Sequence, residues 1–162
     1  MHIFHYLLAL FISVGAMTMF SAIMSIKFKS EFKEHVLLSK LISNKSLKQK
    51  ESAGHLIFGW FLHFLIGGFF LVIYKLLWNY TELIQSVLGS VLYGVLIGII
   101  GVAGWFILFK LDSHPPDINY KVFYFQLIIA HVFFSLGNFS IFLFQYKECL
   151  YYRIFNYIAC QI

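Results

Sequence analysis

The chain has 162 residues, of which 60% are hydrophobic and 12% charged, and its mean hydropathy of +0.81 lies far outside the balance of a soluble globular domain. Soluble-enzyme signatures are absent: no phosphate-binding glycine loop, HExxH, CxxC or GxSxG occurs. The net charge of +5 does not point to nucleic acid, because the lysines fall where membrane topology would put them.

Four runs of about 20 apolar residues, the number a helix needs to cross the hydrocarbon layer, follow one another along the chain. They predict an all-α polytopic protein with four transmembrane helices in one bundle, since a membrane sheet would need alternating apolar and polar residues in a closed barrel. The first run, about Ile3 to Ile26, opens as MHIFHYLL without Lys or Arg. A secretory leader has a basic start and a small-residue cleavage site. This run is therefore expected to be retained, with its start outside the cytoplasm.

The connection 27–53 carries Lys27, Lys29, Lys33, Lys40, Lys45, Lys48 and Lys50, far more than any other. Short lysine-rich loops stay in the cytoplasm, which predicts a multi-pass protein with both termini outside the cytoplasm. Phe28, Phe32, Val36, Leu38 and Ile42 share one side of a projected helix here, with Lys29, Lys33 and Lys40 opposite. Such a helix is expected to lie along the membrane surface and attract anionic lipid.

The second run, about His55 to Leu77, contains GWFLHFLIGGFF, with His63 at its middle. His55, Gly59, His63, Gly67 and Tyr74 follow the helical repeat and form one small or polar side. In the third run, about Leu83 to Phe109, Ser86, Ser90, Gly94, Gly98 and Gly101 recur every three or four residues. This stripe predicts a face against which another helix backbone packs closely, most simply within the same chain.

The connection LDSHPPDINYK ends the third helix at Pro115 and Pro116 and offers Asp117 or Asn119 as the cap of the fourth. His55, His114, Asp112 and Asp117 have metal-compatible side chains, but their irregular spacing reads as solvated loop. The fourth run, about Tyr120 to Phe144, carries Tyr124, His131, Ser135 and Asn138 on one side. At 1.5 Å per residue His63 and His131 lie about 12 Å and 16 Å along their helices, at similar depth. HFLIGGFF and HVFFSLGNF form a faint duplication, which predicts two tandem helical hairpins. The tyrosine-rich tail 146–162 reads as interfacial, and Cys149 and Cys160 within it are too far apart on a helix to bridge.

An intramembrane seam of His63, His131, Tyr74, Tyr124, Ser135 and Asn138 is thus the candidate site. Its simplest reading is hydrogen bonding between helices in a non-enzymatic subunit or partner of another membrane protein, or in a homo-oligomer. A small proton or substrate conduit is the second reading. The third is a redox subunit holding haem b between His63 and His131, which axial ligation by two neutral imidazoles would require. With no cofactor demanded by any motif, none is expected beyond that alternative, and the partners are the bilayer and anionic lipid at 27–53.

The block GWFLHFLIGGFFLVIYKLLW, the glycine-rich third helix and HPPDINYKVFYFQLIIAH together make the chain resemble small four-helix integral membrane proteins of Bacteroidota-type bacteria. The resemblance covers most of the length. It implies the fold and a bacterial inner-membrane address, and no functional residue is carried over from it.

Overall fold

The computed structural model describes residues 3–43 and 52–156, with side chains to residue 148. Its elements are α1 (Ile3–Phe28), α2 (Glu34–Ser43), α3 (Ala53–Tyr80), a single 3-10 turn at Leu83–Gln85, α4 (Val87–Leu111) and α5 (Tyr120–Asn156). Helices α1, α3, α4 and the Tyr120–Glu148 part of α5 are each long and apolar enough to cross a membrane. Among the described residues there is no strand. The chain is a multi-pass, all-α membrane protein.

Caps explain where the helices begin. Ser52 accepts the His55 amide at the start of α3, and Ser86 accepts the Gly89 amide at the start of α4. Each satisfies an amide that has no partner inside its own helix. Ser86 therefore ends the turn that precedes the third span, so that span starts at Val87, later than the hydropathy run. At α5 the cap is Asn119, whose side chain accepts from the Val122 amide at 3.2 Å. The helix then continues through Asn156, so the first part of the expected separate tail prolongs the fourth helix. The side chain of Cys149, and Cys160 altogether, lie outside the described residues.

The packing follows side-chain size. Helix α5 is the hub, set tightly against α4 on one side and α1 on the other. A Cβ added at Gly94 would lie 2.6 Å from Val132 Cα, and one at Gly98 2.8 Å from Ile128 Cα. Backbone meets backbone there. Gly137 plays the same part against α1, where an added Cβ would come within 2.9 Å of Ser13 Cα. In lipid no hydrophobic force drives helices together, so such close approach supplies dispersion contacts in its place.

Two expectations need correction. Among the described residues of the connection 27–53, the helix expected along the membrane surface is instead α2, packed against α3. After α1 the chain turns at Lys29, whose φ of 50° is left-handed, and α2 starts only at Glu34. There Glu34 hydrogen-bonds Ser21, two turns back inside α1, so α2 begins within the bundle and runs outward along α3. Leu37, Leu38, Ser39 and Lys40 are all buried, whereas Ile42 is exposed. The side chosen by the projection is thus only partly the packed one: Phe32 and Leu38 are buried and Val36 half-buried, but Phe28 and Ile42 are exposed. The second correction concerns the tandem hairpins. Helices α4 and α5 do form one, but α1 and α3 are only lightly in contact, because α2 takes up much of the inner face of α3.

The backbone between α1 and α2 is irregular, and such backbone at membrane depth persists only when protein groups satisfy it. Here they do. The Phe32 amide donates to Ser25 Oγ at 2.9 Å, the Lys33 amide to Glu31 Oε1 at 3.1 Å, and the Ser30 amide to Ser25 O at 3.2 Å.

Candidate functional site

The wedge formed by α2 leaves a cavity of about 220 Å³ between the helices. His63 and Gly67 of α3, Gly101 and Trp105 of α4, His131 of α5 and Glu34 of α2 all border it. His63 and His131 thus border one shared chamber. Its walls are otherwise apolar, with Val14, Met17, Phe70 and Phe134 prominent.

Each polar group in the chamber is held by its own helix or a neighbour. His131 Nδ1 lies 2.8 Å from Leu127 O. A carbonyl only accepts, so this nitrogen carries the proton, and Nε2 is left as an acceptor. The imidazole rests against Gly101, where an added Cβ would come 3.0 Å from the ring. His63 Nε2 lies 3.3 Å from Thr18 Oγ1. Its ring also approaches that of His35, 6.2 Å between centroids, and His35 stacks on Trp60 at 3.9 Å.

Glu34 is the unexpected member. Its side chain is 2% exposed. Oε1 accepts the Ser21 hydroxyl at 2.7 Å, and that same hydroxyl lies 3.2 Å from Gln126 Oε1. One hydroxyl has one proton, so only one of the two acceptors receives it at a time. Among the described residues Glu34 Oε2 is buried without a partner, as is Gln126 Nε2. Burial pushes the Glu34 carboxyl up to about 7, and the Ser21 hydrogen bond opposes that rise. His35 next to it is pushed down to about 4 by burial and then by the charge of Lys33.

The remaining members of the expected seam stand outside the cavity. Tyr74 donates to or accepts from Ser90 at 2.7 Å, and Ser135 donates to Ser90 O at 2.6 Å. Asn138 accepts from Ser13 at 2.8 Å. Tyr124 is half-buried, in ring contact with Tyr120 and Phe123 near the start of α5. Of the small-residue stripe, Ser90, Gly94 and Gly98 pack on α5, Gly101 faces the cavity and Ser86 caps α4. Beyond Phe134 the bundle is filled: Tyr74 stacks on Phe142 at 5.7 Å, and Trp78 lies at the same distance from Phe142.

The cavity also has an open side. Helices α3 and α4 are tied near their connection by Tyr74 to Ser90 and by Tyr93, which donates to Phe70 O at 2.6 Å. Elsewhere they hardly touch. Ile66 and Ile100, which border the cavity from the two helices, are 46% and 51% exposed, and Gly104, one turn beyond Ile100 on α4, has no described atom within 4 Å of an added Cβ.

The haem alternative gains no support from these residues. The space is below the roughly 300–1,000 Å³ of pockets that enclose a drug-sized molecule, and His63 Nε2 is engaged with Thr18 Oγ1 at 3.3 Å. The metal-compatible residues at the membrane rim are not gathered either, since among the described residues no three His, Cys, Asp or Glu side chains cluster.

Sequence reasoning missed Thr18, Ser21, Glu34, His35 and Gln126. A signal existed on α1, where Ala9, Ser13, Met17 and Ser21 repeat every four residues and are all buried. Glu34 gave no such signal, because a charged residue in a lysine-rich connection reads as solvated.

Compared with known protein families, with curated proteins and with solved structures, the chain matches none.

Proposed function

We propose that this protein works by binding: its chamber holds a small, largely apolar molecule that enters sideways from the bilayer between α3 and α4. The observation that carries this reading is the cavity itself, apolar in its walls, closed toward the far end by Tyr74, Trp78 and Phe142 and open toward lipid at Ile66, Ile100 and Gly104. A conduit through the bundle is the weaker reading, because that aromatic layer fills the route. The cavity is formed within one copy of the chain, so neither a homo-oligomer nor a larger complex is needed to build it. The same proposal includes the bacterial inner membrane, kinship with the small Bacteroidota-type proteins, and anionic lipid at the basic connection.

Trp60, Trp78 and Trp105 are the chain's three tryptophans, so the W60F/W78F double variant reports on Trp105 alone, a residue bordering the cavity. In vesicles with brominated acyl chains its emission should be strongly quenched, and Gly104→Leu should protect it by narrowing the opening. Quenching that is equal with and without Gly104→Leu would overturn lateral entry. Orientation is tested separately. With seven lysines in 27–53 held inside, a C-terminal alkaline phosphatase fusion should be active, and an inactive one would reverse the topology.

A further inference from the structure

The polar groups that reach the chamber share one character, and it restricts what the chamber holds. Glu34 offers Oε2, which has no partner among the described residues. His131 offers Nε2, because its Nδ1 proton is engaged by Leu127 O. His63 Nε2 has only the 3.3 Å contact to Thr18. His131 Nε2 is an acceptor, and Glu34 Oε2 is one whenever the carboxyl is ionised. Among the described residues no lysine or arginine borders the chamber, and the charged neighbour that acts on Glu34 is Glu31, of the same sign. Lys33, the nearest lysine in sequence, is paired with Glu31 at 3.5 Å.

From this set we infer that the guest is a short amphiphile with a protonated amine at its polar end. The inference rests on the binding reading above and specifies its ligand. The ammonium would sit on Glu34 Oε2, supplying the donor that this buried oxygen lacks. Its hydrocarbon part would lie against Val14, Phe70 and Phe134, toward the gap at Gly104.

Alternatives fare worse on the same geometry. A carboxylate guest would bring a second negative charge against Glu34 in a medium where charges are poorly screened. An alcohol could donate to Oε2 but would leave an ionised carboxyl without a counter-charge, which burial makes costly. A cation also explains how the carboxyl, raised to about 7 by burial, can be accommodated when ionised. At about 30 Å³ for each water-sized unit, the volume of about 220 Å³ takes a chain of about seven heavy atoms.

The test uses the full chain in mild detergent and three probes of equal length: n-hexylamine, 1-hexanol and hexanoate. Thermal unfolding is followed as each is added. Hexylamine should raise the midpoint most, hexanol less, and hexanoate least or not at all. Glu34→Gln should remove the advantage of the amine over the alcohol while leaving the response to the alcohol, and Gly104→Leu should suppress both responses. If hexanol and hexylamine stabilise the protein equally, the amine inference falls and the chamber reading stands. If none of the three has an effect and bromolipid does not quench Trp105, both fall. An amine effect that survives Gly104→Leu intact would place the amine in the micelle or elsewhere on the protein, and would also overturn the inference. Should Glu34→Gln fail to fold, the ranking of the probes on the wild-type chain and on Gly104→Leu still decides.

Discussion

Helix α4 meets its neighbours in two ways. Toward the connection with α3, Ser90, Gly94 and Gly98 let α5 approach until backbone touches backbone. One turn further on, Gly101 and Gly104 bring no helix in and border an open chamber. The residue type is the same and the outcome opposite. What differs is the rest of the bundle: at the tight end Tyr74, Tyr93 and Ser135 tie the helices by hydrogen bonds, and at the other end α2 lies against α3. A small-residue stripe in a membrane helix thus permits close packing, and the other helices decide whether it happens.

The largest test of this contrast is Gly98→Leu. Its Cβ would stand 2.8 Å from Ile128 Cα, and a backbone atom cannot swing aside as a side chain can. A loss of about 3 kcal/mol is expected, the upper end of overpacking costs, read by unfolding in a mixed detergent series. Stability equal to wild type would mean that α4 and α5 are not packed through this face.

Glu34 sharpens the contrast at the open end. Its carboxyl is raised in the folded chain from an ordinary 4.5 to about 7, so between these values the folded state holds a proton that the unfolded state has lost. Its stabilising share is complete below about pH 4.5 and declines until the pH passes about 7. His35, lowered to about 4, works in the opposite sense up to its ordinary 6.5, so the wild-type profile alone does not isolate Glu34. The difference between Glu34→Gln and wild type does. Relative to wild type the variant should gain on the order of 1–3 kcal/mol from pH 5 to pH 8. A difference that stays flat across that range would show a solvated carboxyl.

Gly104→Leu should have the smallest effect on stability, within about 0.5 kcal/mol, as for substitutions away from packed features. No described atom stands within 4 Å of an added Cβ there. Set beside Gly98→Leu, six residues away, it separates the two uses of one helix. If both variants lose stability alike, the open side closes in the membrane.

The spans were legible because hydropathy and length are intrinsic to each segment, and His63 and His131 because helical periodicity places residues on a face. The stripe could be read as far as Gly98 and no further, since whether Gly101 meets a helix depends on where α3 stands. That in turn depends on α2. A projection of 27–53 groups residues by angle and cannot know that Lys29 turns the chain back beside Ser25. Glu34 was hidden for the same reason: nothing in a run of lysines says that one of its carboxylates is carried inside.

The Glu34 arrangement also bears on how the molecule is assembled. Ser21 precedes Glu34 by 13 residues, whereas the two hydrogen-bond positions linking Ser21 to Gln126 are 105 apart. A chain made from its N-terminus has the first contact within reach long before the last helix emerges from the ribosome. Until α5 docks, this carboxyl lacks the wall that Gln126 provides, and water remains available to it. The final helix therefore does more than complete the count of spans: its arrival dries the acidic corner of the chamber, so the chamber's chemistry is the last property the nascent protein acquires.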